Sequence, residues 1–414
     1  MEKLLITNAR VIDPSCQPAM DFVGDILIEG ERIAKQQGIQ LEVKKTLALD
    51  YSVEVPDSLK AADVHEIASD PEISIVIELM GGIEPAKTFI KTMLEAGKTV
   101  VSANKQLIAN AWPELEASAK KGNAGFYFEA SVGGAIPILR VVNTSLQANT
   151  IHSIEAIING TTNFIMTKMC DEGGDFEEVL REAQALGYAE ADPTADVDGF
   201  DAMYKLSILS SLAFCSRMPI DKIYREGIRK VSKKDIDCIK ALGKEVKLLA
   251  IGKKQGNQVE LRVHPTIIPR DHMLATVKGS FNAVFLKCSM ADDLMFYGRG
   301  AGDLPTASAV VSDVLNAAVE EKPAYAPFEN VEGKVEPGIC FNTNWEAGYY
   351  LRLGCGAKET AKKAQKVLGE AGIQVSQVID LEDDTVLIVE KAKELEIQEA
   401  VKKMGGVASL LRMQ

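Results

Sequence analysis

The run GYAEADPTADVDGFDAMYKL places Glu190, Asp192, Asp196, Asp198 and Asp201 close together in sequence and ends on Lys205. Asp201 and Lys205 are four apart in a segment with helical periodicity, so the two side chains share a face. A lysine beside carboxylates in a cleft is suited to donate a proton, and the carboxylates are suited to grip an ammonium-bearing substrate. The plainer alternative is a solvated acidic loop followed by an ordinary helix ion pair. The next residues, LSILSSLAF, are almost wholly apolar, which carries Lys205 into a buried element and weighs against that alternative.

Three further stretches have chemical potential. In SANK, Ser102, Asn104 and Lys105 follow the strand-like TVV, and ligands of open α/β sheets bind at the carboxyl ends of strands. An exposed loop lysine is the competing reading. GRGAGDLPTASAVVSDVLNAA is a glycine-rich loop entering a helix whose free amides suit an anion, although glycines also serve merely to turn the chain. SVGGAIP is a tight loop able to aim backbone carbonyls at one hard cation, or only a turn.

These groups need elements to hold them. LEVKKTLAL and ISIVIELM read as strands, EPAKTFIKTMLEAG as a helix closed by Gly97, and TVVSA as the next strand, which makes a βαβ unit. GFYFEA reads as a further strand, so the sequence from about 40 to 130 predicts a parallel sheet with covering helices. Beyond it come a helix-like ILRVVNTSLQ, a strand IHSIEAIING, helical segments through DAMYKLSILSSLAF, and the strands EVKLLAIG and VELRVHPTIIP. EKPAYAPFENVEGKVEPG, with Pro323, Pro327 and Pro337, reads as a linker. The tail shows the order βαββαβ of a ferredoxin-like unit.

The fold class is therefore α/β: an atypical, incomplete Rossmann-like sheet, an α+β catalytic and dimerisation domain, and a ferredoxin-like C-terminal domain. The expected divisions are an opening segment over 1–31, a nucleotide-binding domain over 32–130, a substrate domain over 131–322, a linker and return segment over 323–345, and a tail over 346–414. A net charge of -13 argues against nucleic acid or an anionic membrane as partner, because the electrostatic term would be repulsive. Seven scattered cysteines without a C-x-x-C pair point to reduced thiols and a cytoplasmic location. No signal-like or membrane-spanning apolar run is evident.

Taken in order and with their spacing, IELMGGIEPAKTFIKTMLEAGKTVVSANK, FYFEASVGGAIPILR, INGTTNFIMTKM, EAQALGYAEADPTADVDGFDAMYKLSILSSLAF, VHPTIIP and GRGAGDLPTASAVVSDV resemble the homoserine dehydrogenase family. The likeness spans about residues 33–345, and the tail resembles the ACT-type regulatory domain of some members. The resemblance implies reduction of aspartate 4-semialdehyde to homoserine with NADP or NAD, on the way to threonine and methionine. It implies that Lys205 is the proton donor, that Lys105 lies at the cofactor and catalytic centre, and that Glu190, Asp196 and Asp201 bind substrate. Ser102, Asn104, Lys105, Gly187 and Gly302 are the implied cofactor contacts. A monovalent cation, Na or K, is implied on backbone carbonyls of Glu129, Val132, Gly134 and Ile136, together with threonine as an effector and a homodimer or higher homo-oligomer.

The opening departs from this pattern. The family begins with a strand and a G-x-G-x-x-G turn, whereas residues 1–31 contain only Gly24 and Gly30. LLITNARVIDP and GDILIEGERIA instead resemble the first strands of dihydroorotase and related amidohydrolases. Amidohydrolase chemistry is excluded, because His65, His152, His264 and His272 include no H-x-H pair. Without the turn, the sequence predicts a weaker grip on the pyrophosphate and reduced activity, with a non-catalytic homoserine- or threonine-binding module as the alternative. Leu49 stands where many members carry an arginine for a 2'-phosphate, and Asp50 suits a free ribose hydroxyl. GCGAKETAKKA lacks the D-x-P-G turn that opens an ACT effector site.

Overall fold

Ile75–Glu78 is buried along its whole length, as a parallel strand covered on both faces requires. The computed structural model describes residues 4–7, 38, 41–48, 55–319, 334–354, 357–381 and 384–414. Along the chain, the first strands are β1 (Leu4–Thr7), β2 (Val43–Leu47), β3 (Ile75–Glu78), β4 (Thr99–Ser102) and β5 (Phe126–Tyr127), with helices α1 (Val64–Ser69), α2 (Ala86–Glu95) and α3 (Lys105–Gly122). There follow β6 (Ile151–Ile157), α4 (Gly160–Glu172), α5 (Phe176–Ala185), α6 (Thr194–Val197), α7 (Phe200–Ala213), β7 (Tyr224–Arg225), α8 (Lys233–Ala241), β8 (Lys244–Gln255) and β9 (Gln258–Pro269). The remainder comprises β10 (Phe281–Cys288), β11 (Asp293–Arg299), α9 (Asp303–Val319), β12 (Cys340–Phe341), β13 (Glu346–Leu353), α10 (Ala357–Glu370), β14 (Val375–Asp380), β15 (Thr385–Lys393), α11 (Glu394–Met404) and β16 (Val407–Met413).

The chain divides into two compact units, each assembled from three stretches. The first is Met1–His152, Tyr204–Asp221 and Asn282–Gly338; the second is Ser153–Met203, Lys222–Phe281 and Ile339–Gln414. Helix α7 begins in the second and ends in the first.

In the first unit a five-stranded parallel sheet runs β2-β1-β3-β4-β5. Alternation along β3 sends Ile75 and Ile77 to one face, where they pack with Val101, Tyr127 and the α9 residues Val310, Val314 and Leu315. Helix α2 buries Ile90, Met93 and Leu94. Its end meets the end of α3 so closely that a Cβ at Gly122 would stand 1.8 Å from the Leu94 carbonyl oxygen, so only glycine fits there. The expected opening segment thus contributes β1, seated between β2 and β3.

Two expected elements are shorter than the pattern suggests. GFYFEA is a strand only over Phe126–Tyr127, because the chain turns at Phe128 into a 3₁₀ turn, Glu129–Ser131. ILRVVNTSLQ is helical over Ile138–Arg140 and then widens into a π turn, Val141–Ser145.

In the second unit β8 and β9 form a long antiparallel hairpin in register from Lys244↔Pro269 to Gln255↔Gln258. β6 pairs antiparallel with β8, and β7 and β12 add to β9 in parallel. The tail has the expected βαββαβ order, and its strands lie β16-β13-β15-β14, the ferredoxin-like arrangement. Tyr349, Leu351, Leu353, Leu368, Leu387, Val389, Ile397 and Met404 form its core. β16 continues into β9 through Arg412↔Thr266 and Met413↔Ile267, so the tail is fused to the hairpin by backbone hydrogen bonds.

Candidate functional site

In the first unit, polar residues collect where β3 and β4 end. Glu78 is the last residue of β3 and Ser102 the last of β4, opposite one another in the parallel register. Ser102 Oγ donates to Glu78 Oε2 at 2.6 Å and accepts from the Asn104 backbone N–H at 3.1 Å. Asn104 caps α3, its Oδ1 accepting from the Leu107 N–H at 3.0 Å. Its Nδ2 donates to the carbonyls of Met80 and Gly82, at 3.2 and 2.8 Å. One side chain therefore fixes both the loop after β3 and the start of the helix whose first residue is Lys105. Gly82 sits at φ +77°, and neither it nor Gly81 has anything within 4 Å of a Cβ position, leaving backbone that a ligand is free to approach. Glu78 is 2% exposed, and burial pushes its carboxyl up to about 7 against the pull of the Ser102 hydrogen bond.

The two glycine loops singled out in the sequence meet in this unit. Gly133 and Gly134 both have positive φ, +82° and +54°, and a Cβ on Gly134 would lie 2.6 Å from the Gly300 carbonyl carbon. The Ala135 N–H donates to the Arg299 carbonyl. Asp313 of α9 holds the loop from beneath: it accepts from the Glu129 N–H at 2.8 Å and from Arg140 Nη2 at 2.9 Å. The Glu129 carboxylate is spent on the N–H groups of Leu139 and Arg140, at 2.9 and 2.7 Å. Burial, and then the neighbouring Asp313, raise it to about 7. A cation at this loop would thus meet backbone oxygens, donors suited to a hard alkali ion. Gly302, at φ +111°, receives the Thr306 N–H on its carbonyl and opens α9.

In the second unit the corresponding residue is Asn159, which follows β6. Its Oδ1 accepts from the Thr162 N–H at 2.8 Å and so caps α4. Its Nδ2 donates to Asp196 Oδ1 at 2.7 Å and to Asp201 Oδ2 at 2.9 Å, bringing two of the expected substrate carboxylates together. Arg229 pairs with Asp198 at 2.6 Å and so takes that carboxylate out of the cluster. Glu190 is exposed and belongs to the loop after α5, where its carbonyl is held by Gln184; it is not part of the Asn159 network. Gly187, at φ +78°, turns the same loop. Helix α7 carries Asp201 and, one turn on, Lys205, and both are buried.

Residues 29–129 match the family model described as homoserine dehydrogenase, NAD binding domain, and residues 137–315 match the homoserine dehydrogenase model. A homoserine dehydrogenase from Bacillus subtilis is 36% identical over 356 residues, 85% of this chain and 82% of that protein. The chain belongs to the homoserine dehydrogenase family. Another member, from Synechocystis, is 46% identical over 301 residues, 70% of each chain. The crystal structure of a homoserine dehydrogenase from Thiobacillus denitrificans superposes with TM-score 0.89 at 32% identity, covering 100% of this chain and 98% of that one. A hyperthermophilic archaeal homoserine dehydrogenase in complex with NADPH superposes with TM-score 0.64 at 27% identity, covering 77% of this chain and 98% of that one.

The protein is accordingly an NAD(P)-dependent oxidoreductase of amino-acid biosynthesis that interconverts aspartate 4-semialdehyde and homoserine. No helix among the described residues is long and apolar enough to cross a membrane. The segment in which a glycine-rich turn would be sought, residues 8–37, lies outside the described residues, as do Leu49 and Asp50.

Of the expected site residues, Ser102, Asn104 and Lys105 stand together, as do Asp196 and Asp201, whereas Glu190 stands apart. Sequence reasoning missed Glu78, hidden as the one acid in ISIVIELM, and Asn159, whose signal is an Asn-Gly-Thr-Thr run at a strand end, the mark of a helix cap. It also missed Asp313, inside an apolar helix.

Proposed function

We propose that Lys205 is the proton donor of the reduction and that Asp196 and Asp201, with Glu190, bind the amino-acid end of the substrate. The observation that carries this reading is the Asn159 amide, which gathers Asp196 and Asp201 at the start of the helix that bears Lys205 one turn later. A bound nicotinamide cofactor supplies the hydride. Addition of hydride to an aldehyde leaves an alkoxide, which the Lys205 ammonium stabilises and then protonates from Nζ. The two aspartates offer acceptors to the substrate ammonium, and Lys105, at the amino end of α3, serves the cofactor and catalytic centre. Ser102, Asn104, Gly187 and Gly302 hold the cofactor, NADP or NAD, with Asp50 favouring a free ribose hydroxyl.

The finer assignments follow the same resemblance. A monovalent cation, Na or K, is held by carbonyls of Glu129, Val132, Gly134 and Ile136. The functional division is nucleotide-binding over 32–130, substrate-binding over 131–322, a return segment over 323–345 and an ACT-like regulatory tail over 346–414 with threonine as effector. The ferredoxin-like strand order supports the tail assignment. The enzyme works as a cytoplasmic homodimer or higher homo-oligomer, and its amidohydrolase-like opening supplies a strand rather than chemistry.

Lys205→Ala decides the central assignment. The variant, assayed for NADPH oxidation with aspartate 4-semialdehyde, is expected to lose about 100- to 10,000-fold in kcat, the range for removing a general acid. A kcat equal to that of the unaltered enzyme overturns the assignment.

A further inference from the structure

Helix α3 contains a proline, and the proline leaves a debt. Pro113 has no N–H to give the carbonyl four residues earlier, that of Ala109, and the helix is non-helical at Ala111, with φ -115° and ψ 19°. The orphaned Ala109 carbonyl, one turn beyond Lys105, is taken by Nη2 of Arg217. Nη1 of the same guanidinium donates to Ser207 Oγ at 2.9 Å, to Ser211 Oγ at 3.1 Å and to the Met218 carbonyl at 2.9 Å. Ser207 and Ser211 are on α7, and Ser207 is two residues past Lys205. Ser207 Oγ in turn donates to the Met218 carbonyl and Ser211 Oγ to the Ser207 carbonyl, both at 2.6 Å. The hydroxyls are therefore oriented to present lone pairs to Nη1.

Arg217 is 5% exposed and lies with its Cζ 5.4 Å from the centre of the Trp112 ring. Among the described residues none of its hydrogen bonds goes to a carboxylate, although Asp221 acts on it through space. Burying a guanidinium against hydroxyls and carbonyls is costly, so this one is a poor choice for stability alone. What it does achieve is a rigid planar link between two helices, each gripped within about a turn of a lysine assigned to the reaction.

We propose that Arg217 is a positioning residue for the reduction: it fixes the start of α3, with Lys105, against the stretch of α7 that carries Lys205. This rests on the roles assigned above to the two lysines. Displacing a reacting group by about 1 Å costs on the order of 100-fold in rate, so a folded enzyme without the link loses kcat, while KM for aspartate 4-semialdehyde stays close to normal.

The test uses Arg217→Met, Arg217→Lys and Pro113→Ala in the full chain. Pro113 is exposed, and alanine there returns an N–H to the Ala109 carbonyl. Pro113→Ala alone is expected to keep kcat, since a carbonyl accepts two hydrogen bonds. Arg217→Met is expected to lower both Tm and kcat, the latter about 100-fold. Adding Pro113→Ala to Arg217→Met is expected to recover part of the lost Tm but none of kcat, because the Ala109 carbonyl is satisfied while the bonds to Ser207, Ser211 and Met218 stay lost and the helices remain unlinked. Recovery of both overturns the proposal, as does a folded Arg217→Met with normal kcat. If Arg217→Met does not fold, Arg217→Lys replaces it: a lysine keeps the charge but cannot span both helices, so a normal kcat overturns the proposal and a reduced one supports it. Lys205→Ala measured alongside separates the two ideas, since a fully active Lys205→Ala removes the lysine assignment whatever Arg217 does.

Discussion

Asn104 and Asn159 do the same local job in the two units and opposite jobs beyond it. Each follows a strand, caps the next helix with Oδ1, and turns Nδ2 outward. At Asn104 the amide takes two neutral carbonyls, those of Met80 and Gly82. At Asn159 it takes two carboxylates, Asp196 and Asp201. The first arrangement shapes backbone without adding charge, as suits a wall for a large cofactor. The second gathers negative charge, as suits an ammonium. Glu78, beside Asn104, is buried and driven toward its neutral form.

That contrast can be broken first by pH, where the expected effect is largest. Glu78 titrates near 7 in the fold against about 4.5 when unfolded. A carboxyl whose folded value is raised contributes stability below the unfolded value and loses it as pH climbs through the folded one. The loss across that window is about 3 kcal/mol for this group. Glu129, also raised to about 7, adds a comparable loss. Unfolding in urea at pH 5 and pH 8 should therefore show the enzyme weakening with pH, and Glu78→Gln should remove roughly half of the slope. A slope unchanged in that variant would mean that Glu78 is ionised throughout.

The charged end is tested next by Asn159→Ala. Two charge-assisted hydrogen bonds disappear, each worth about 1.5 to 3 kcal/mol, and the two aspartates are left to repel one another. We expect kcat/KM for aspartate 4-semialdehyde to fall by roughly 30-fold, about 2 kcal/mol, mostly through KM. The KM for the nicotinamide cofactor should hardly move. Equal loss on both substrates would make Asn159 a general support of the fold rather than the keeper of the carboxylates.

How much of this was legible in the sequence follows the range of the interactions. Asp201 and Lys205 were legible because they are neighbours on one helix, and the parallel sheet was legible because ISIVIELM and TVVSA are apolar runs with a helix between them. The ferredoxin-like order of the tail was legible for the same reason. GFYFEA misled at its end because propensity extends the strand, while the backbone turns at Phe128 so that the Glu129 N–H meets Asp313, a partner far along the chain. Glu78 was hidden because an acid in an apolar strand reads as an interruption, and its hydroxyl donor, Ser102, comes only with the register Glu78↔Ser102. Arg217 was invisible for the strongest form of that reason. Its partner is a carbonyl 108 positions earlier, orphaned by a proline whose effect cannot be assigned until the helix is known to continue past it with a kink at Ala111.

The neutral end carries the smallest and most specific prediction. Asn104→Ala removes a helix cap, worth about 1 kcal/mol, and releases the Met80 and Gly82 carbonyls to water, which can replace a neutral partner at little cost. Stability should drop by about that amount and no more. The loop after β3 should lose its fixed position, so KM for the cofactor should rise about 5-fold, near 1 kcal/mol, while KM for aspartate 4-semialdehyde stays level. Asn104→Asp sharpens the point: it keeps the cap through a carboxylate oxygen but cannot donate to either carbonyl. The aspartate variant sets a buried carboxylate against those two carbonyl oxygens, so it should be less stable than the alanine variant and as poor in cofactor affinity. If it binds cofactor normally, the loop is held by something other than the Asn104 amide, and the parallel with Asn159 reduces to the cap alone.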